Sequence, residues 1–204
     1  IKRFVERYPK VRLSLHQGHP AQIAEWTLQG EADIAIATEA LDQYPQLVML
    51  PCYQWAHCVI APSGHPILET RVLALAALAR WPLITYDTAF AGRSRINKAF
   101  ELAQLVPSIV LTATDADVIK TYVSLGLGLG IIASMAFDPV RDAGLQAIPA
   151  EHLFGSNTTR IGLRRGTYIR RYEYDFIELF ASHLTCRAVD RAMVGGGPED
   201  EYQL

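Results

Sequence analysis

The chain of 204 residues is 50% hydrophobic and 20% charged, the make-up of a globular protein that can bury a substantial core in one or two lobes. Nineteen Lys and Arg against twenty-one Asp and Glu leave a net charge of -2, so no overall electrostatic drive brings the chain to DNA or to an acidic membrane, which argues against a free-standing DNA binder. The apolar stretches are short and interrupted, far from the roughly 20 residues that cross a bilayer.

In chain order, Ile1-Lys2-Arg3-Phe4-Val5-Glu6-Arg7 reads as a charged amphipathic helix, without the apolar core and cleavage site of a signal peptide. With no initiating Met, the chain reads as a piece of a longer polypeptide. Pro9 ends this helix, and the alternation over Val11-Arg12-Leu13-Ser14-Leu15-His16 predicts a half-buried strand. Gly18 and Pro20 mark a turn, residues 23–29 a helix closed by Gly30, and residues 32–37 a strand. Strand, helix, strand suits a parallel sheet.

Beyond Pro45 two strands are expected at 48–53 and 56–61, separated by Gln54 and Trp55. There follow a helix at 73–78, a strand at 83–86, a helix at 95–103, a strand at 109–112, a helix at 118–125 and a strand at 130–133. Residues 160–163 form a last strand, and 172–193 read as one long helix with Tyr172, Phe176, Leu179, Phe180 and Leu184 at helical spacing. Residues 194–204, rich in Gly and acidic side chains, read as a disordered tail.

Several stretches resemble a known family. Phe4-Val5-Glu6-Arg7-Tyr8-Pro9-Lys10-Val11, Leu28-Gln29-Gly30-Glu31-Ala32-Asp33-Ile34-Ala35-Ile36 and Val123-Ser124-Leu125-Gly126-Leu127-Gly128-Leu129-Gly130-Ile131 are similar to the effector domain of LysR-type bacterial transcription regulators. Residues 35–41, Leu50-Pro51-Cys52-Tyr53-Gln54-Trp55 and residues 112–122 resemble more narrowly the sulfur-responsive activators that control cysteine biosynthesis. The likeness runs from Ile1 to about Met193.

That resemblance implies an α/β fold of two Rossmann-like lobes joined by two crossover strands, periplasmic-binding-protein-like of type 2, with an effector in the cleft between them. Lobe I would be 1–51 and 159–193, and lobe II 52–158. The family's N-terminal winged helix-turn-helix has no counterpart here, and the chain corresponds to a start after the first strand of lobe I, which in relatives carries a Thr-rich part of the site. The implied partners are a small anionic metabolite such as sulfate or an acetylserine, a second copy in a homodimer or tetramer, promoter DNA through the N-terminal domain, and RNA polymerase. A cytoplasmic location is implied; no cofactor, metal, membrane or enzymatic activity is. Pairing is expected to set residues 22–29 against 95–102 of the partner.

The effector site is expected at Thr38, Glu39, Trp55, Phe90, Ala91, Gly92 and Thr114. Thr38 ends the strand at 32–37, where open α/β sheets bind ligands, and its hydroxyl can donate to an oxyanion. Trp55 offers an indole N–H and an apolar wall. The turn at 90–94 precedes a helix whose N–H groups can cradle an anion. The sulfur-responsive relatives carry Thr where this chain has Ala91, which predicts weaker binding of sulfate or acetylserine, or preference for another sulfur metabolite. The bland alternative is that Thr38 caps a strand and Trp55 packs a hinge.

Other patterns carry less. Asp115-x-Asp117 superficially resembles a phosphoryl-transfer motif, but Thr114-x-x-Asp117 before an apolar helix reads as an N-cap with an acidic first turn. Gly126-x-Gly128-x-Gly130 follows a helix, so it is a helix stop and not a dinucleotide fingerprint. His16 and His19 are poorly spaced for a metal. Arg160, Arg164, Arg165, Arg170 and Arg171 read as a solvated face or subunit contact, with DNA contact the minor alternative. Cys52, Cys58 and Cys186, odd in number and without C-x-x-C spacing, suit reduced, mostly packed thiols. A solute-binding protein of a transport system shares the two-lobe architecture and stays open as the alternative.

Overall fold

The computed structural model describes residues 1–38, 43–88 and 92–195. The chain divides into two compact units, Ile1–Gln54 with Thr158–Leu204, and Trp55–Asn157. Both boundaries fall inside strands, β2 (Leu47–Pro62) and β7 (Ser156–Arg164).

The first unit begins with α1 (Lys2–Arg7) and α2 (Pro20–Gln29). Pro20 opens α2 because its missing N–H would be unsatisfied there anyway. His19 caps it, Nδ1 accepting from the Ala21 N–H at 3.1 Å, and Gly30 ends it at φ +78°. β1 (Ala35–Ala37) pairs antiparallel with β7. One core joins Val48 and Leu50 of β2 and Ile161 and Leu163 of β7 to Ile177 of α7 (Arg171–Phe180) and Val189 of α8 (Cys186–Met193). A smaller cluster of Ala24, Ala35 and Leu47 seats α2. Arg7 reaches Asp175 at 2.8 Å, Tyr8 donates its hydroxyl to the same carboxylate, and Phe4 stands edge-on to Phe176, which fixes α1 to α7.

The second unit orders its strands β2-β5-β3-β4, with β6 (Leu145–Pro149) also on β2. β3 (Pro82–Tyr86) lies parallel to both β4 (Ser108–Ala113) and β5 (Leu129–Ala133). Alternation along β2 sends Val59 and Ala61 to one face and Cys58 and Ile60 to the other. Leu78 of α3 (Leu75–Leu78), Ile96 and Phe100 of α4 (Arg93–Leu102) and Phe154 of α6 (Glu151–Phe154) cover the first. Ile119 and Val123 of α5 (Ala116–Ser124) cover the second.

Several expectations need correction. Residues 11–16 form no strand. They line a groove of about 410 Å³ with Ile23, Trp26 and Ile34; alternation supplies a face but not the hydrogen-bonding neighbour a strand needs. The two strands expected at 48–53 and 56–61 are one, since Gln54 and Trp55 keep the period of two. The long last helix is two, α7 and α8, with Thr185 restarting the second by accepting from the Ala188 N–H. The N-cap of α5 is Asp115, not Thr114, with Asp115 Oδ1 accepting from the Val118 N–H at 3.0 Å. β6 was not expected at all.

The glycine run acts as anticipated. Gly126, at φ +78°, turns the chain out of α5, and a Cβ on Gly130 would sit 2.6 Å from Ile60 and 2.9 Å from Val123, so only glycine lets α5 approach β5 this closely. Among the arginines, Arg170 pairs with Glu173 at 2.9 Å and Arg171 with Asp175 at 3.6 Å, contacts within the chain. No helix among the described residues is long and apolar enough to cross a membrane.

Two outcomes follow from this packing. Burial raises the Cys52 thiol to about 11 and Cys58 to about 12, and Cys186 is exposed. An aromatic disulfide reagent at mildly alkaline pH should therefore titrate one thiol in the native chain and all three in denaturant; rapid reaction of more than one would contradict the burial.

Lys120 of α5 holds Asp117 at 2.8 Å, Asp142 at 3.2 Å and the Ala136 carbonyl at 3.0 Å. Burial opposes its charge, but the bonds to the two carboxylates outweigh that and raise its pKa. Hydrogen bonding to Lys120 lowers Asp117 below its ordinary value of 3.8. The folded value thus lies below the unfolded one, so this contribution is complete above the unfolded pKa and is lost as pH falls through the folded pKa. Lys120→Met should cost about 2 kcal/mol near neutrality and flatten the acid loss of stability below about pH 4. Urea unfolding at both pH values decides; equal costs would refute it.

Candidate functional site

Parallel strands direct their carboxyl ends to one edge, and in the second unit that edge is formed by Tyr86, Ala113 and Ala133, closing β3, β4 and β5. The Asp87 N–H donates to the Ala113 carbonyl at 2.9 Å, and the Ala133 N–H donates to the Tyr86 hydroxyl at 3.2 Å, tying this edge together. Burial raises the Tyr86 phenol above its ordinary value, so it stays protonated at neutral pH.

Helix α4 starts from this edge. Its N-cap is Gly92 at φ +71°, where no side chain caps the helix. The first-turn N–H groups give that end partial positive charge. Arg93 is 6% exposed and turned inward, Nη1 donating to the Tyr86 carbonyl at 2.7 Å and Nε to Asn97 Oδ1 at 2.8 Å. Burial lowers its pKa, against the carboxylate of Asp87. Its charge is spent on anchoring α4 to β3.

Around Gly92 the sheet places two polar side chains. A Cβ there would stand 2.7 Å from His57 Cε1 and 2.7 Å from Asn157 Oδ1. The His57 ring lies 5.1 Å from Trp55 and 5.7 Å from Phe154, both edge-on. His57 and Asn157 are each 1% exposed.

Of the residues expected from sequence, Trp55 and Gly92 thus belong to one cluster in the second unit, linked through His57. Thr114 lies in the same unit, exposed beyond the end of β4, and is not among the atoms nearest Gly92. Thr38 is half-buried in the first unit, directly after β1. Glu39, Phe90 and Ala91 fall outside the described residues.

Sequence reasoning missed His57, Asn157 and Arg93. His57 was within reach: two residues beyond Trp55 in a strand, it shares that residue's face. Asn157 is the second residue of β7, inside the polar run Ser156-Asn157-Thr158-Thr159, and its 1% exposure had no local signal.

Residues 1–185 match the LysR substrate binding domain. The chain is 55% identical over 184 residues to the HTH-type transcriptional regulator SsuR of Burkholderia cenocepacia, covering 90% of this chain and 60% of that protein. It is 54% identical over 204 residues to the HTH-type transcriptional regulator CysB of the same organism, covering 100% of this chain and 64% of that protein. The chain therefore spans about three fifths of the length of these relatives. The crystal structure of the cofactor-binding domain of the Cbl transcriptional regulator superposes with a TM-score of 0.90 at 43% identity, covering 95% of this chain and 85% of that one. These relatives are named as regulators, not as enzymes or transport proteins, and the α/β architecture is that of LysR effector-binding domains, with their periplasmic-binding-protein-like two-lobe fold. The chain belongs to the LysR substrate-binding-domain family.

Proposed function

We propose that the chain is the effector-sensing part of a cytoplasmic LysR-type regulator of sulfur and cysteine metabolism, and that it binds a small anionic metabolite of that pathway. The observation that carries the reading is the uncapped N-terminus of α4 at the carboxyl edge of a parallel sheet, beside buried polar side chains. Names of relatives such as CysB support the sulfur connection.

In this reading the α4 N–H groups hold the anion without a further cation, since Arg93 is occupied with Tyr86 and Asn97. Trp55, buried and edge-on to His57, supplies an apolar wall. Thr38, directly after β1, is a proposed hydroxyl donor to the effector. Binding changes the protein's equilibrium between states only through unequal affinity for them, so the ligand is sensed and leaves unaltered. Promoter DNA is contacted by an N-terminal helix-turn-helix outside this chain, and RNA polymerase is a further partner of the whole regulator.

Calorimetric titration with sulfate, thiosulfate, N-acetylserine and adenylylsulfate should find at least one that binds. Thr38→Ala should weaken it about two- to tenfold, the worth of one hydrogen bond. Unchanged affinity for every compound would remove Thr38 from the site, and stoichiometric product formation would overturn the sensing role.

The chain is also proposed to pair with a second copy, α2 of one against α4 of the other. A two-fold arrangement buries the same pair of surfaces twice. Leu102 at the end of α4 is 75% exposed and gives this surface an apolar margin. Light scattering at tens of micromolar should report a dimer, and Leu102→Glu should shift it towards monomer; a wild-type monomer at that concentration counts against pairing through this part of the regulator.

A further inference from the structure

The Asn157 side chain is 1% exposed, yet among the described residues neither Oδ1 nor Nδ2 has a hydrogen-bond partner. Buried amides in folded proteins are almost always satisfied, because a desolvated group without a partner is costly. This one is aimed at a particular place. A Cβ on Gly92 would lie 2.7 Å from Asn157 Oδ1 and 3.0 Å from Nδ2, so the amide abuts the N-cap of the ten-residue helix α4. All of these groups lie within the second unit.

We propose that Asn157 is a specificity-determining contact of the effector site, whose amide selects an anion that carries its own proton donor over an anion made of acceptors alone. The proposal rests on the reading of the α4 N-terminus as the anion site. An amide presents an acceptor and two donor hydrogens side by side, and exchanging its oxygen and nitrogen leaves that statement unchanged. A fully deprotonated oxyanion can use the NH2 group only. It leaves Oδ1 buried without a partner and sets negative oxygen against it. An anion with an O–H or N–H beside its charge satisfies both ends.

Three surroundings sharpen the selection. The His57 ring, which reaches the same Gly92 position as the amide, is itself flanked edge-on by Trp55 and Phe154, an apolar setting that sharpens the cost of an unmade hydrogen bond. Arg93 is anchored to Tyr86 and Asn97, which leaves charge recognition to the weaker field of the helix end. Gly92 admits the amide because it has no Cβ and its φ is +71°.

Sulfate and hydrogenphosphate are matched probes, alike in shape, with only the phosphate retaining an O–H near neutral pH. Titration of the wild-type chain should show phosphate binding about tenfold more tightly. Asn157→Leu should bring the two within about twofold, chiefly by weakening phosphate, and should raise the melting temperature of the unliganded protein because no orphaned polar group remains. Asn157→Asp, with acceptors only, should weaken sulfate more than phosphate.

Sulfate binding as tightly as phosphate, or a ratio unchanged in Asn157→Leu, overturns the selection while leaving the anion site in place. A lower melting temperature in Asn157→Leu would assign the amide a structural role instead. If neither probe binds and none of the sulfur metabolites binds either, the anion site itself fails and this inference with it.

Discussion

One strand serves two cores. β2 runs unbroken from Leu47 to Pro62, giving Val48, Leu50 and Cys52 to the hydrophobic cluster of the first unit and Cys58, Val59, Ile60 and Ala61 to those of the second. A strand buried on both faces must be apolar at successive positions, which is why 58–61 reads as a continuous run and not as an alternation. Any slip of register would exchange the residues that meet α3, α4 and α6 for those that meet α5. The positions of Trp55 and His57 are set by the same register, so the candidate site inherits its geometry from this strand.

Where the site lies follows from topology. Parallel β3, β4 and β5 end at one edge, and the connection leaving β3 must enter a helix that packs back on the sheet. Ile96 and Phe100 supply that packing for α4, both fully buried. The Arg93 guanidinium locks the start of the helix to the carbonyl that ends β3. The N-terminus of α4 is thereby held at the edge by contacts that do not involve a ligand, so its N–H groups are oriented before anything binds.

Much of the architecture was legible from local pattern. The order of helices and strands in the second unit as far as β5, the glycine-dependent turn at Gly126 and the chain-long likeness to one regulator family all follow from residues that act locally. What escaped depended on distant neighbours. Residues 11–16 alternate as a strand should, yet no strand pairs with them among the described residues. β6 is short and has weak alternation in Leu-Gln-Ala-Ile-Pro, and it exists because β2 offers Val59 and Ile60 as ladder partners. The break between α7 and α8 contains neither Gly nor Pro; Thr185 as a cap was its one local sign. In the candidate site, Trp55 and Gly92 could be named from sequence because an indole and a helix-opening glycine are recognisable types. His57 follows from Trp55 once the strand is known to run unbroken, and Asn157 joins them only through the fold.

A sensor needs a free-energy difference between its empty and occupied states, and a perfectly satisfied interior offers little of it. On the proposed reading, the Asn157 amide withholds stability from the empty protein at a place where an anion can restore it. The same group would then weaken the unliganded fold and strengthen the bound one. Coupling of that kind is reciprocal: whatever conformation of the chain best presents the amide to a ligand is the conformation that ligand stabilises. A substitution that relieves the strain on the empty state must then also reduce the signal, which is the form a trade between stability and function takes when it is confined to one side chain.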